Sequence, residues 1–161
     1  MKNPSKSIEK ILKDFHFFEG MGPKHLKKVV SLAKQVTFEA GTQIFQQGET
    51  ADHFYLLTDG RAAIELYSPD RGGLLMETLE GGDILGWSWL VPPHQWRFNA
   101  QAVVQTHAVA IDGVSLRKLC KKDCVLGYAV LEKFLPIVTD RLEAARIRLL
   151  DLYGLPKGGR V

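Results

Sequence analysis

Between Gly81 and Ala102 the sequence runs GGDILGWSWLVPPHQWRFNAQA, and the side chains suited to holding a small ligand are concentrated there. Gly86 allows backbone to approach a ligand closely, the short turn after it offers amide N–H groups, and Arg97 supplies a guanidinium. Amide donors and a fixed positive charge together make a cradle for an anion such as phosphate. Trp87, Trp89, Trp96 and Phe98 crowd the same stretch, and Ser88 and Asn99 add polar groups able to orient a ligand. The crowding has two readings: a helix-and-turn packed tightly onto the body of the protein, or a pocket with aromatic walls that favours a flat or apolar ligand over a sugar. Asp83 is expected on the strand before the cradle, capping a turn.

The pattern Gly-acid-Ile-Leu-Gly…Arg, with the strands around it, resembles the phosphate-binding cassette of cyclic-nucleotide-binding domains, the sensor halves of catabolite-activator and nitrogen-fixation-regulator type proteins. The resemblance covers roughly Phe15 to Tyr153. It implies a ligand site at Gly86, Trp87, Ser88, Trp89, Arg97, Phe98 and Asn99, and a cyclic nucleotide (cyclic AMP or cyclic GMP) or another small anionic or aromatic molecule as ligand. In that family a glutamate in the cassette holds the ribose hydroxyl and an arginine pairs with the cyclic phosphate. Matching Gly86 to the glycine before the glutamate puts Trp87 in the acid's place and Trp89 at a position normally small. An indole cannot accept a hydrogen bond as a carboxylate does, so ordinary cyclic AMP is expected to bind weakly or not at all. The GWSWL…PP…W form is similar to a subset of small bacterial members that also lack the acid. Two registers remain open for the arginine. Counting from Gly86 puts Arg97 in the pocket; counting back from Ala100, Ala102 and Val104 puts Trp96 there and turns Arg97 to the other face, since one residue of slip flips a strand.

The elements that must position the cassette follow from periodicity. Ile8, Ile11, Leu12 and Phe15 predict an amphipathic helix over Ser5–Phe15. Pro23 starts a second, with Leu26, Val29, Val30 and Ala33 on its apolar face. From Val36 the pattern becomes that of short strands: Val36–Glu39, Gln43–Gln46, His53–Leu57, Ala62–Leu66, Leu74–Leu79, and Ala100–Ile111 as one extended stretch. Asp59-Gly60 between two apolar runs is a strong hairpin signal. Alternation puts Ala62, Ile64 and Leu66 on a buried face and Ala63, Glu65 and Tyr67 on a wetter one. Strands at this spacing point to a barrel or a double-sheet jelly roll. The fold class is therefore mainly β with flanking helices: a double-stranded β-helix (jelly-roll) with N-terminal helices over 1–35, a β-roll over 36–112 with its cassette at about 82–100, and C-terminal helices over 113–153.

Of those last helices, Val114–Lys121 is short and Asp123–Tyr153 long. Leu131, Leu135, Val138, Leu142, Ala145, Leu149 and Leu152 form a heptad seam. A helix of this length reaches roughly 45 Å at 1.5 Å per residue, longer than a small β-roll is wide, which points to a parallel homodimer through the seam. Packing on the chain's own β-roll is the alternative. Pro136 removes a backbone donor, so a bend is expected near Glu132–Pro136. Gly154 caps the helix, Pro156 stops it, and 154–161 form a tail. By the family resemblance, Leu126–Phe134 is where a lid or a second-protomer contact would sit.

Composition narrows the rest. The chain of 161 residues has net charge +3 with basic and acidic residues interleaved, giving no nucleic-acid stripe. Eight residues after the long helix leave no helix-turn-helix, so DNA is not an expected partner. No apolar stretch of signal-peptide or membrane-span length is present, and two cysteines, Cys120 and Cys124, suit a reducing cytoplasm better than a disulfide framework. The pair, spaced by one helical turn, is expected as buried or half-buried thiols. His16, His25, His53, His94 and His107 are scattered, without the metal pattern of a cupin enzyme, and no catalytic motif stands out. No metal site and no enzyme are expected, and no cofactor is assigned beyond the cyclic nucleotide or other small anionic or aromatic ligand that the resemblance implies. A ligand-sensing regulatory module in signal transduction is the first expectation. A ligand-free dimeric scaffold docking an unknown protein partner is its rival.

Overall fold

Residues 4–154 are described in the computed structural model. Two amphipathic helices, α1 (Pro4–Asp14) and α2 (Pro23–Ser31), lead in, joined by a 3-10 turn at His16–Phe18. Pro23 opens α2 because its fixed φ suits the first helical position and its missing N–H would be unpaired there anyway. Ile8, Leu12, Phe18, Leu26 and Val29 are buried, so these helices close one end of the core.

Eight strands follow: β1 (Ala33–Phe38), β2 (Gln43–Phe45), β3 (His53–Asp59), β4 (Arg61–Ser68), β5 (Gly72–Glu80), β6 (Ile84–Leu85), β7 (Asn99–Ala102) and β8 (Thr106–Asp112). They form two four-stranded antiparallel sheets, ordered β1-β8-β3-β6 and β2-β7-β4-β5, the jelly roll expected from the spacing. Three local expectations are corrected. Ala33 is the first residue of β1, paired with Ile111, and not the last turn of α2. Ala100–Ile111 is two strands in different sheets, because the chain bends at Val103–Gln105 and Thr106 is buried, bonding through its hydroxyl to Arg61 and Val104. Ala63 is buried, since β4 is an interior strand and the longer Gln101 and Thr78 flank this small side chain. Asp83 caps the turn before β6, accepting from the Glu80 N–H at 2.7 Å.

Helices α3 (Gly113–Lys122) and α4 (Cys124–Leu152) complete the chain. Each begins with an aspartate whose carboxylate accepts an orphan amide, Asp112 from Ser115 and Asp123 from Leu126, at 3.0 and 3.1 Å. The cap at Asp123 also accepts from Lys28 and His25 of α2, both at 3.1 Å. The Leu126 N–H and then Lys28 hold its carboxyl well below the usual carboxylate range. This break separates the two cysteines: Cys120 lies in α3 and Cys124 opens α4, exposed, so they do not share a helix.

The 29 residues of α4 span about 44 Å. The helix is continuous through Pro136, and its first half buries Leu126, Val130 and Phe134 against the β-roll, a stripe four residues apart. The heptad seam is offset from that stripe, and its half-buried Val138, with Leu142 and Ala145, borders the side of the helix turned to the β-roll. Leu131, Leu135, Leu142, Leu149 and Leu152 are all at least half exposed, the last at 82%. Every side chain from Leu142 to Leu152 is exposed. The tail beyond Gly154, with Pro156, lies outside the described residues.

Candidate functional site

Strand β6 is only two residues long, yet it fixes the start of the cassette. Ile84 and Leu85 are buried and pair with Leu56 and Tyr55 of β3. The chain then turns at Gly86, where φ is +92°, a region that favours glycine. A side chain there would also meet the Trp96 ring at 2.8 Å. Residues Ser88–Leu90 make one 3-10 turn, closed by the Leu90 and Val91 amides bonding back to the Trp87 and Ser88 carbonyls.

The return passage is tied to the turn between β2 and β3. Gly48 donates to the Trp96 carbonyl, Trp96 to Glu49, and Ala51 to His94, at 2.8–2.9 Å. Trp96 goes inward, buried, and stacks on Phe45 at 3.7 Å with the ring planes 7° apart. Its neighbour Arg97 is exposed at the rim and carries no hydrogen bond or ion pair among the described residues. Alternation thus gives each residue one of the two directions left open by the sequence, although both border the same corner.

That corner brings together Gly86, Trp87, Ser88, Arg97 and Phe98, together with Phe45, Ile64 and Arg141. Its free volume is about 20 Å³, room for about one water. Beside it, between the β-roll and α4, runs a trough of about 290 Å³ walled by Ile64, Met76, Trp87, Phe98, Val138, Leu142 and Ala145, with Glu77, Arg141 and Arg148. Trp87, Phe98 and Arg141 border both spaces. A third cleft, about 700 Å³, lies on the other side of Arg141. Five acids line it (Glu19, Glu77, Asp83, Glu132 and Asp140) against His16, Lys133 and Arg141, so its charge suits an anion less well than the corner does.

Two sequence candidates lie elsewhere. Trp89 is fully buried, stacked on Phe54 at 5.0 Å and edge-on to Phe134 of α4 at 5.4 Å. It anchors the cassette to the core, and Arg117 of α3 donates to its carbonyl. Asn99 points its carboxamide at the β2–β3 turn and accepts from the Gln47 N–H at 2.8 Å.

Arg141 is the site residue that sequence reasoning missed. It donates to the Ile84 carbonyl at 2.7 Å and pairs with Glu77 of β5 at 3.3 Å, so α4 is tied directly to the first strand of the cassette. Burial pushes its guanidinium pKa down, and the Glu77 and Asp83 carboxylates partly offset this. A signal existed: Arg141 interrupts an apolar helix face between Val138 and Leu142, where a charge needs a partner.

This jelly roll with flanking helices has known counterparts. A family model for the cyclic nucleotide-binding domain matches residues 35–123, more than half of the chain. The chain belongs to that family. The CRP-like cAMP-activated global transcriptional regulator of Mycobacterium tuberculosis is 24% identical over 96% of this chain, which spans 67% of that relative's length. The cyclic nucleotide-binding domain also recurs among solved structures. A putative cyclic nucleotide-binding protein from Geobacter metallireducens superposes with a TM-score of 0.73 at 25% identity, covering 88% of this chain and 99% of its own. The sensor domain of the transcriptional regulator DNR from Pseudomonas aeruginosa gives 0.70 at 21%, covering 86% and 93%, and at that identity shows the fold alone. Among the described residues no helix is long and apolar enough to cross a membrane, and no cluster of three or more His, Cys, Asp or Glu could hold a metal.

Proposed function

We propose that this member of the family is a non-enzymatic ligand-sensing module of the cytoplasm, in which an anionic ligand held by the cassette changes how α4 is tied to the β-roll. The observation that carries the reading is the pair of guanidinia at one corner. Among the described residues Arg97 is unpaired at the rim, and Arg141 of α4 is bonded to the cassette strand itself. An anion arriving at Arg97 competes with Glu77 for Arg141. The ligand thereby gains differential contact with two placements of the helix, which a switch requires.

Trp87 borders the corner where the resemblance puts a ribose-binding acid, so cyclic nucleotides are poor ligands. Losing a charged hydrogen bond is worth about 1.5–3 kcal/mol, or about ten- to a hundredfold in affinity. Calorimetric titration of the purified protein with cyclic AMP and cyclic GMP is expected to show binding weaker than micromolar, with any heat lost in Arg97→Ala. Micromolar binding that survives Arg97→Ala would overturn the reading.

A second reading, a ligand-free dimeric scaffold, is favoured by the exposed leucines of α4. The homodimer itself belongs to both readings: of the expected seam, Leu131, Leu135, Leu149 and Leu152 are exposed and offered to a second copy, whereas Val138, Leu142 and Ala145 wall the trough beside the β-roll. Leu142→Pro is expected to yield monomers in sedimentation equilibrium, and an unchanged dimer would move the contact to the β-roll.

A further inference from the structure

Charge and wall chemistry at the corner and trough restrict what kind of molecule fits, provided the cleft is the ligand site proposed above. Among the described residues three guanidinia border the two spaces, those of Arg97, Arg141 and Arg148, against one carboxylate, Glu77, already paired with Arg141. Arg97 and Arg148 carry no hydrogen bond or ion pair among the described residues. The excess positive charge calls for an anion, and guanidinium forks recognise phosphate and carboxylate well.

The rest of the lining is apolar. Trp87 and Phe98 stand on one side of the trough, Val138 and Leu142 on the other, and Ser88 is the one neutral hydroxyl at the corner. Among the described residues no asparagine or glutamine borders either space. A ribose or a base edge buried there would leave its polar groups unpaired, which disfavours binding, whereas an aromatic face gains area and stacking. At about 290 Å³ the trough is just below the range of about 300–1,000 Å³ for ligand pockets, which suits a small ligand.

We propose that the ligand is a small amphipathic anion: a flat, apolar body of two-ring size in the trough, and a single phosphate or carboxylate at the mouth of the corner, held by Arg97. The corner itself admits about one water, so the head group stays at its rim, where Arg97 is exposed.

The probes are 2-naphthyl phosphate, its neutral body 2-naphthol, inorganic phosphate and cyclic AMP, each titrated calorimetrically into the wild type, Arg97→Gln, Arg148→Gln and Ala145→Trp, with oligomeric state measured by sedimentation. Ala145 is exposed, so the tryptophan fills the trough without entering the core. Naphthyl phosphate is expected to saturate one site per chain and to bind at least about tenfold tighter than the other three probes. Arg97→Gln and Ala145→Trp should each weaken it at least about tenfold, and Arg148→Gln to a lesser degree. Tighter binding of cyclic AMP, lost in Arg97→Gln, would overturn the ligand class and leave the sensing function standing. Silence from all four probes would take both down. Naphthyl phosphate binding indifferent to Ala145→Trp would place it elsewhere and sink the proposal. A flat titration with Ala145→Trp turning dimers into monomers would make the trough a socket for a second copy.

Discussion

Trp89→Ala is expected to cost about 3–5 kcal/mol of stability, seen as a lower denaturant midpoint at unchanged slope. The indole is fully buried and lies face to face with Phe54 of β3, the planes 14° apart, while Phe134 of α4 meets it at 71°. It also rests on the α-carbon of Gly113, where a side chain would come within 2.9 Å of the ring. One side chain of the cassette therefore packs against a strand and both C-terminal helices at once. Alanine leaves a cavity that these rigid neighbours cannot close, and Trp89→Phe should recover part of the loss. A midpoint shift equivalent to less than about 1 kcal/mol would show that the ring cluster does not hold α4 to the β-roll.

Gly86→Ala acts on the opening turn of the cassette and should be nearly as damaging. Its φ of +92° is strained for any residue with a Cβ, at about 1–3 kcal/mol. The new methyl would also press on the Trp96 ring, which is clamped against Phe45. Overpacking of this kind costs about 1–3 kcal/mol more. The two contributions can be separated, because Trp96→Phe withdraws the ring edge and leaves the backbone conformation as it was. In a double-mutant cycle by urea unfolding, Trp96→Phe is expected to relieve the overpacking and not the strain. Full rescue would mean that the positive φ is tolerated; no rescue would mean that the ring had already moved away.

Much of the fold was legible because turn chemistry and alternation agreed. Asp59-Gly60 announced the β3–β4 hairpin, and Gly60 has φ +94° with the Gln105 carbonyl 2.5 Å from where a Cβ would stand. The split between β7 and β8 was not legible, since Val103, Val104 and Gln105 carry no glycine or proline to mark the bend. The burial of the cysteine pair was misjudged for a related reason: Asp123 ends one helix and caps the next with no spacer, and Cys124 opens α4 exposed. In the cassette, Gly86, Trp87, Ser88, Arg97 and Phe98 were identified by type and order and do meet at one corner. Trp89 could not be told from them, because a buried anchor and a pocket wall look alike in a run of aromatics. Arg141 reaches the cassette from 57 residues away, and only the rotational phase of α4 on the β-roll decides that contact. Periodicity supplied a phase for the leucine seam, but the stripe that packs is Leu126, Val130 and Phe134.

In the proposed reading Gly86, Ser88 and Arg97, which border one corner, form the anion half of the cassette, and an indole at Trp87 stands where the family resemblance implies a hydroxyl-accepting acid. The most direct test restores the carboxylate and asks whether the rest still works. Calorimetric titration with cyclic AMP should show Trp87→Glu binding at least about tenfold tighter than the wild type, with the gain abolished when Arg97→Ala is added. Wild-type binding as tight as that of Trp87→Glu, or a gain that persists without Arg97, would contradict the account of this cleft as an anion site that has exchanged its sugar contact for an aromatic wall.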